Sequence, residues 1–236
     1  MSRAVKATLA LVVLATIVTA SPLRQALRGA AHDPRPGAAP KKAPPARFLI
    51  AVDVSASSEP LRRKFLGLTD LIVDQVAPRH SLVRVYPFAR THTVAYSGMA
   101  GSARQLWDPL EPYLTSSALG RGTCPREVLE AMAAETEANA TPAFVVACWD
   151  GENTDGAPLA PVAQQLAQMP QLKATWIVGP LPDLEHGFRV QVEEAFRPLG
   201  DRCIVSSMPD RAAGLEAFEL MVARSLSDSA KEGVEQ

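Results

Sequence analysis

Cysteine is scarce in this chain. Only Cys124, Cys148 and Cys203 occur among 236 residues. An odd number leaves at least one thiol unpaired within the chain, and no pair has the spacing of a zinc site. Basic runs are missing too. The net charge is −1 and the pI about 6.4, so nothing in the charge pattern points to nucleic acid. The chain has no Gly-x-Ser-x-Gly elbow, no phosphate-binding Gly-Lys-Ser/Thr loop and no dinucleotide-type glycine pattern, which argues against those enzyme classes. No internal repeat is visible. His32, His80, His92 and His186 are scattered, without a partner in sequence for a metal or catalytic pair, and each is expected at the surface.

Long apolar runs are also absent. The N-terminal run Ala7 to Ala20 covers about 14 residues, short of the ~20 that a spanning helix prefers. It follows a short positive segment, Met1 to Lys6. It ends at Val18, Thr19 and Ala20, a small-residue pattern of the kind cleaved by signal peptidase. Residues 1–20 are therefore expected to be a cleaved export signal. An uncleaved membrane anchor is the second reading, with Arg24 and Arg28 beyond it. A buried N-terminal helix is the third. No cysteine follows the run, so a lipid anchor has no support.

Proline is abundant, with 20 residues, many of them between Pro34 and Pro45. Residues 21–46 are rich in Pro and Ala and read as an extended linker. The remainder is sufficient for one sizeable core, since the chain is 47% hydrophobic. A folded domain is expected over residues 47–226, with a charged, disordered tail over 227–236.

The domain is organised around Phe48 to Ser57. Five apolar residues, Phe48 to Val52, lead into Asp53, and Ser55 and Ser57 follow at alternate positions. Such a run reads as a strand buried on both faces. Further buried strands are expected at Leu82 to Phe88, Thr141 to Trp149, Lys173 to Val178 and Arg202 to Val205. A short edge strand is expected at Thr91 to Tyr96. Helical patterns cover Pro60 to Val76, Ser102 to Leu114, Pro125 to Asn139, Pro158 to Met169, Leu184 to Phe196 and Pro209 to Leu226. This alternation implies an α/β fold, a Rossmann-like doubly wound sheet that is mostly parallel, with helices on both faces and one antiparallel edge strand.

A carboxylate and two hydroxyls at the carboxyl end of a central strand lie where open α/β sheets hold ligands. They are hard oxygen donors, suited to Mg²⁺, Mn²⁺ or Ca²⁺. Asp53-x-Ser55-x-Ser57, then Thr123 after Gly120 and Gly122 ahead of a helix, then Asp150-Gly151 after an apolar strand, together resemble the metal-ion-dependent adhesion site of von Willebrand factor A domains. The resemblance covers roughly residues 47 to 226. It implies that Asp53, Ser55, Ser57, Thr123 and Asp150 hold a divalent cation, most simply Mg²⁺. It also implies a partner protein that presents an Asp or Glu carboxylate to that cation. Glu152 and Asp155 are extra acids in the third loop and are expected to be solvated. If the loops of Cys124 and Cys148 are neighbours, a disulfide is conceivable, but burial as free thiols is the leading expectation.

Two alternatives stand beside this reading. Asp53 after a strand also resembles phosphatases of the haloacid dehalogenase type, but these need a second acid where Ser55 stands. The site could instead be vestigial, with Ser55, Ser57 and Thr123 serving only as helix caps and Asp150 only as a turn residue. The export signal and composition fit a bacterial envelope protein. N-terminal sequencing of the protein from its native host should find Ser21 as the first residue. Retention of Met1 to Ala20 would favour the anchor instead.

Overall fold

The computed structural model describes residues 45–100, 104–115, 117–179 and 182–232. The expected export signal, nearly all of the linker, and the Ser102 helix cap lie outside these residues.

Six strands form one sheet: β1 (Arg47–Asp53), β2 (Leu82–Phe88), β3 (Tyr96–Met99), β4 (Ala143–Cys148), β5 (Leu172–Val178) and β6 (Cys203–Ser206). Their spatial order is β3-β2-β1-β4-β5-β6, and every pair is parallel except β2 with β3. The helices are α1 (Glu59–Leu71), α2 (Arg104–Thr115), α3 (Pro125–Glu137), α4 (Ala160–Ala167), α5 (Pro182–Phe196) and α6 (Arg211–Glu232). This is the doubly wound, mostly parallel α/β architecture expected from the alternation of patterns.

The period of two along β1 explains why the strand is apolar throughout. Phe48, Ile50 and Val52 join a core with Leu61 and Phe65 of α1, Leu106 and Leu110 of α2, and Phe218 and Val222 of α6. Leu49 and Ala51 join a second core with Val128 and Met132 of α3, Val162 and Leu166 of α4, and Val192 and Phe196 of α5. Both faces of the sheet are thus covered, and β1 is buried on each.

β1 pairs with β2 on one side and β4 on the other. The chain winds outward from β1 to β2 and β3, then returns across β1 to β4. The strand order reverses there, which opens a crevice at the carboxyl ends of β1 and β4. α3 is anchored at its far end. Glu135 accepts a hydrogen bond from Arg84 and another from Tyr86, and its second oxygen lies 3.4 Å from Arg47 Nη1. This largely buried cluster ties the carboxyl end of α3 to the start of the sheet, so its amino end points to the crevice.

Four elements differ from the sequence reading. The antiparallel edge strand begins at Tyr96 rather than ending there. Thr91 to Ala95 forms a loop that touches β2 through a single Phe88–His92 bridge. Pro87 explains the shift, because it has no N–H to give to a continued ladder on that side. His92 is half-buried rather than on the surface, with Nδ1 enclosed and unpartnered. α1 passes into a π-helical turn, Ile72–Val76, closed by Ala77 N–H to Ile72 O at 2.8 Å. α6 continues to Glu232, so residues 227–232, expected in a disordered tail, are helical. Its buried Val222 and Leu226 prolong the packed face.

α6 meets the sheet at very close range. The Trp176 indole N–H donates to Ser206 Oγ at 2.9 Å, and Gly214 lies on that bond. A Cβ at Gly214 would stand 2.7 Å from Ser206 Oγ and 2.8 Å from Trp176 Nε1. Gly214→Ala adds about 1 kcal/mol of helix propensity at most but overpacks a buried indole, which typically costs ~1–3 kcal/mol. The net expectation is a loss of about 1 kcal/mol in urea denaturation. Unchanged or higher stability would show that the helix can back away freely.

Candidate functional site

The crevice gathers three loops. The first leaves β1 at Asp53, which is completely buried. Its Oδ1 accepts the Ser55 N–H at 2.8 Å, and its Oδ2 accepts the Asp150 N–H at 3.3 Å. One carboxylate therefore folds its own loop and reaches across to the loop after β4. Ser58 Oγ lies within hydrogen-bond distance of the carbonyls of Asp53 at 3.0 Å and Ser55 at 2.9 Å. Ser55 Oγ and Ser57 Oγ lie 3.0 Å apart. Ser58 is the residue at the cap of α1, and no side chain caps that helix. Ser55 and Ser57 are thus not acting as caps.

The second loop carries Thr123, fully buried, ahead of α3. Its hydroxyl has no hydrogen-bond partner, and the cap position belongs to Cys124, which also makes no side-chain cap. The Cys124 N–H donates to Ala89 O at 2.8 Å, which docks the start of α3 against the loop after β2. The third loop begins at Asp150. Its Oδ1 accepts the Glu152 N–H at 2.9 Å, while its Oδ2 is enclosed and unpartnered. Asp150 makes a turn, as the plain reading expects, but only one of its oxygens serves it.

Thr154 joins the second and third loops. Its hydroxyl accepts the Thr123 N–H at 2.8 Å and lies 3.2 Å from Thr123 O, and its own N–H donates to that oxygen at 2.9 Å. Gly122 lets the chain come this close. Its φ is +102°, and a Cβ there would lie 2.5 Å from Thr154 Oγ1. Neither Thr154 nor Ser58 stood out in the sequence. Ser58 precedes Glu59-Pro60 and is recognisable there as a helix-start residue. Thr154 sits in an irregular polar stretch with no periodic signal. Glu152 and Asp155 are exposed, as expected for a solvated loop. All three cysteines are free, Cys124 and Cys148 buried and Cys203 partly so. Burial raises each thiol above its ordinary range, so none is activated.

The donor set consists of oxygens only. Among the described residues no group of three or more His, Cys, Asp or Glu side chains could hold a metal; the crevice offers two carboxylates and hydroxyls instead. Two oxygens in the second and third loops, Thr123 Oγ1 and Asp150 Oδ2, are enclosed without partners, and the Asp150 N–H meets the buried Asp53 carboxylate. Buried polar atoms left unpaired are costly, and a hard cation answers both of them together with the carboxylate charge. The residues therefore fit a divalent ion.

No protein-family model matches the chain, and no curated protein matches it. Solved structures do. A von Willebrand factor type A protein from Catenulispora acidiphila superposes with a TM-score of 0.54 at 17% identity, over 78% of this chain and 43% of that one. Proximal thread matrix protein 1 from the mussel byssus, solved with a zinc-occupied MIDAS motif, gives 0.56 at 14% identity, over 76% of this chain and 46% of that one. An aerotolerance-related membrane protein from Bacteroides fragilis gives 0.58 at 15% identity, over 76% of this chain and 99% of that one. The chain thus spans less than half of the first two proteins and nearly all of the third. Its fold is that of a von Willebrand factor A domain.

Burial first, and the nearby Asp150 charge second, push the Asp53 carboxyl up to about 7, against the lowering pull of its hydrogen bonds from Ser55 and Asp150. This holds without a cation. In the unfolded chain the group titrates near 3.8. Between those values the folded state keeps a proton that the unfolded state has released, so stability falls as pH rises through this window and levels off above it. In chelator, urea denaturation from about pH 4 to pH 8 should show wild type losing roughly a few kcal/mol more than Asp53→Asn. Parallel curves for the two proteins would show that Asp53 is not held in this way.

Proposed function

We propose that this chain is a metal-dependent protein-binding module. Asp53, Ser55, Ser57, Thr123 and Asp150 would hold a divalent cation, most simply Mg²⁺, with Mn²⁺ and Ca²⁺ as substitutes. When bound, the cation offers an open coordination position to an Asp or Glu carboxylate of a partner protein. The observation that carries this reading is the pair of enclosed, unpartnered oxygens, Thr123 Oγ1 and Asp150 Oδ2, together with the buried Asp53.

Each residue has a distinct task. Asp53 and Asp150 offset the charge of the ion, and the hydroxyls of Ser55, Ser57 and Thr123 donate oxygen without adding charge. The site stays short of negative charge and so accepts one more carboxylate from outside. α3 adds the partial positive charge of its amino end beside Thr123. The zinc-occupied MIDAS of the mussel protein supports a divalent cation on this fold.

The binding reading is favoured over a phosphatase because Ser55 replaces the second acid that such chemistry requires. An envelope location is supported by the N-terminal sequence pattern and by the likeness to an aerotolerance-related membrane protein. Among the described residues no helix is long and apolar enough to cross a membrane.

Isothermal titration of Mg²⁺ and Mn²⁺ tests the site, with circular dichroism as the folding control. Asp53→Ala should weaken binding far more than Thr123→Ala, because it deletes charge rather than a neutral donor. The Asp53→Ala sheet should still form, since apolar burial holds it. Equal affinity in wild type and Asp53→Ala would remove this site, as would no binding by wild type at roughly millimolar metal.

A further inference from the structure

Beside the crevice lie two arginines, Arg62 and Arg121, that form no ion pair among the described residues. A cleft of about 440 Å³ opens against the first loop. It is lined by Val54 and Ala56, by Arg62 of α1, and by Gly120, Arg121 and Gly122, and no Asp or Glu lines it. Arg121 and Gly122 also border a second cleft of about 500 Å³, which Arg90 enters from the other side. This second cleft contains Glu127 and Asp155 and is therefore mixed in charge.

Arg62 is the informative residue. Its Nη2 donates to Ser55 O at 2.6 Å and its Nη1 to Leu114 O at 2.5 Å, so its charge meets only neutral carbonyls. Its Nε is enclosed and has no partner. Arg121 is exposed, and among the described residues no carboxylate pairs with either arginine. The guanidinium clasps two backbone carbonyls, which fixes its position beside the first loop and leaves its charge without a counter-ion. Once a cation offsets Asp53 and Asp150, this rim is left net positive. Its apolar floor of Val54, Ala56 and Leu119 favours a segment of chain rather than a free ion.

We infer that the 440 Å³ cleft receives a second carboxylate of the partner, with Arg62 and Arg121 as its counter-charges. The partner segment is then diacidic: one carboxylate goes to the cation and the next to the arginines. This rests on the function proposed above for the first carboxylate, and adds a determinant of which acidic segments are accepted. Charge pairs of this kind act mainly on selectivity and are weakened by salt.

The test uses the full chain, loaded with Mg²⁺, and two blocked peptides as probes: acetyl-Gly-Glu-Gly-Gly-amide with one carboxylate and acetyl-Gly-Glu-Gly-Glu-amide with two. Affinities come from titration calorimetry, and amide shifts from NMR. The diacid should bind about two- to fivefold tighter than the monoacid. That advantage should shrink as salt is raised and fall clearly in Arg121→Gln, where only Arg62 remains as counter-charge. It should persist in Arg79→Gln, an exposed arginine near the opposite end of the sheet, before β2. The diacid should shift the amides of Arg121 and Gly122, and the monoacid should not. An equal affinity for the two peptides in wild type overturns the inference. So does a diacid advantage that is undiminished in Arg121→Gln.

A parallel Mg²⁺ titration separates the two claims. Metal binding without a diacid advantage sinks only the cleft. A diacid effect at Arg121 in a protein that binds no metal keeps the cleft and sinks the cation reading. Failure of both sinks both.

Discussion

A carboxylate with no solvent exposure at the end of the central strand is the constraint on which the arrangement of the crevice loops depends. Asp53 is costly to bury, and the fold answers it with two backbone N–H groups, one local and one from Asp150. The second bond requires β4 to run beside β1 and to end level with it. The reversal of strand order is thus where the charge can be met from two directions. An α/β sheet without that reversal offers no facing loop at the end of its first strand.

The three loops around Asp53 are fixed by different means. The first is held by Ser58, which turns its hydroxyl onto carbonyls of the loop instead of capping α1. The second is held by the Cys124 N–H on Ala89 O, and from a distance by Glu135, which pins the other end of α3 to Arg84 and Tyr86. The third is held by Thr154. These bonds fix the framework yet leave Thr123 Oγ1 and Asp150 Oδ2 unused.

Much of this was legible in the sequence because the relevant signals are strong and local. Phe48 to Val52 is apolar at every position, which only a strand covered on both faces needs, and both cores are indeed present. Asp53, Thr123 and Asp150 each stand at a strand or helix edge, where periodicity stops. Less was legible where pairing, not pattern, decides. Thr91 to Tyr96 alternates as a strand does, but Pro87 on the neighbouring strand has no donor for it, and the edge strand moves to Tyr96–Met99. The charged end of α6 looks like a fraying tail, yet the packing of Val222 and Leu226 carries the helix to Glu232. Arg62 reads as one more polar residue of an amphipathic helix, and only tertiary structure brings it to the carbonyls of Ser55 and Leu114.

The clasp between Thr154 and Thr123 has a consequence for anyone who would transplant this site. Loops on α/β scaffolds are commonly treated as interchangeable parts, each grafted singly onto a host. Here the two later loops are stitched by three hydrogen bonds, through a glycine that leaves no space for a Cβ. They form one part supplied by two separate stretches of chain. A host that receives residues 120–124 without 150–156 inherits a loop cut for a neighbour it does not have.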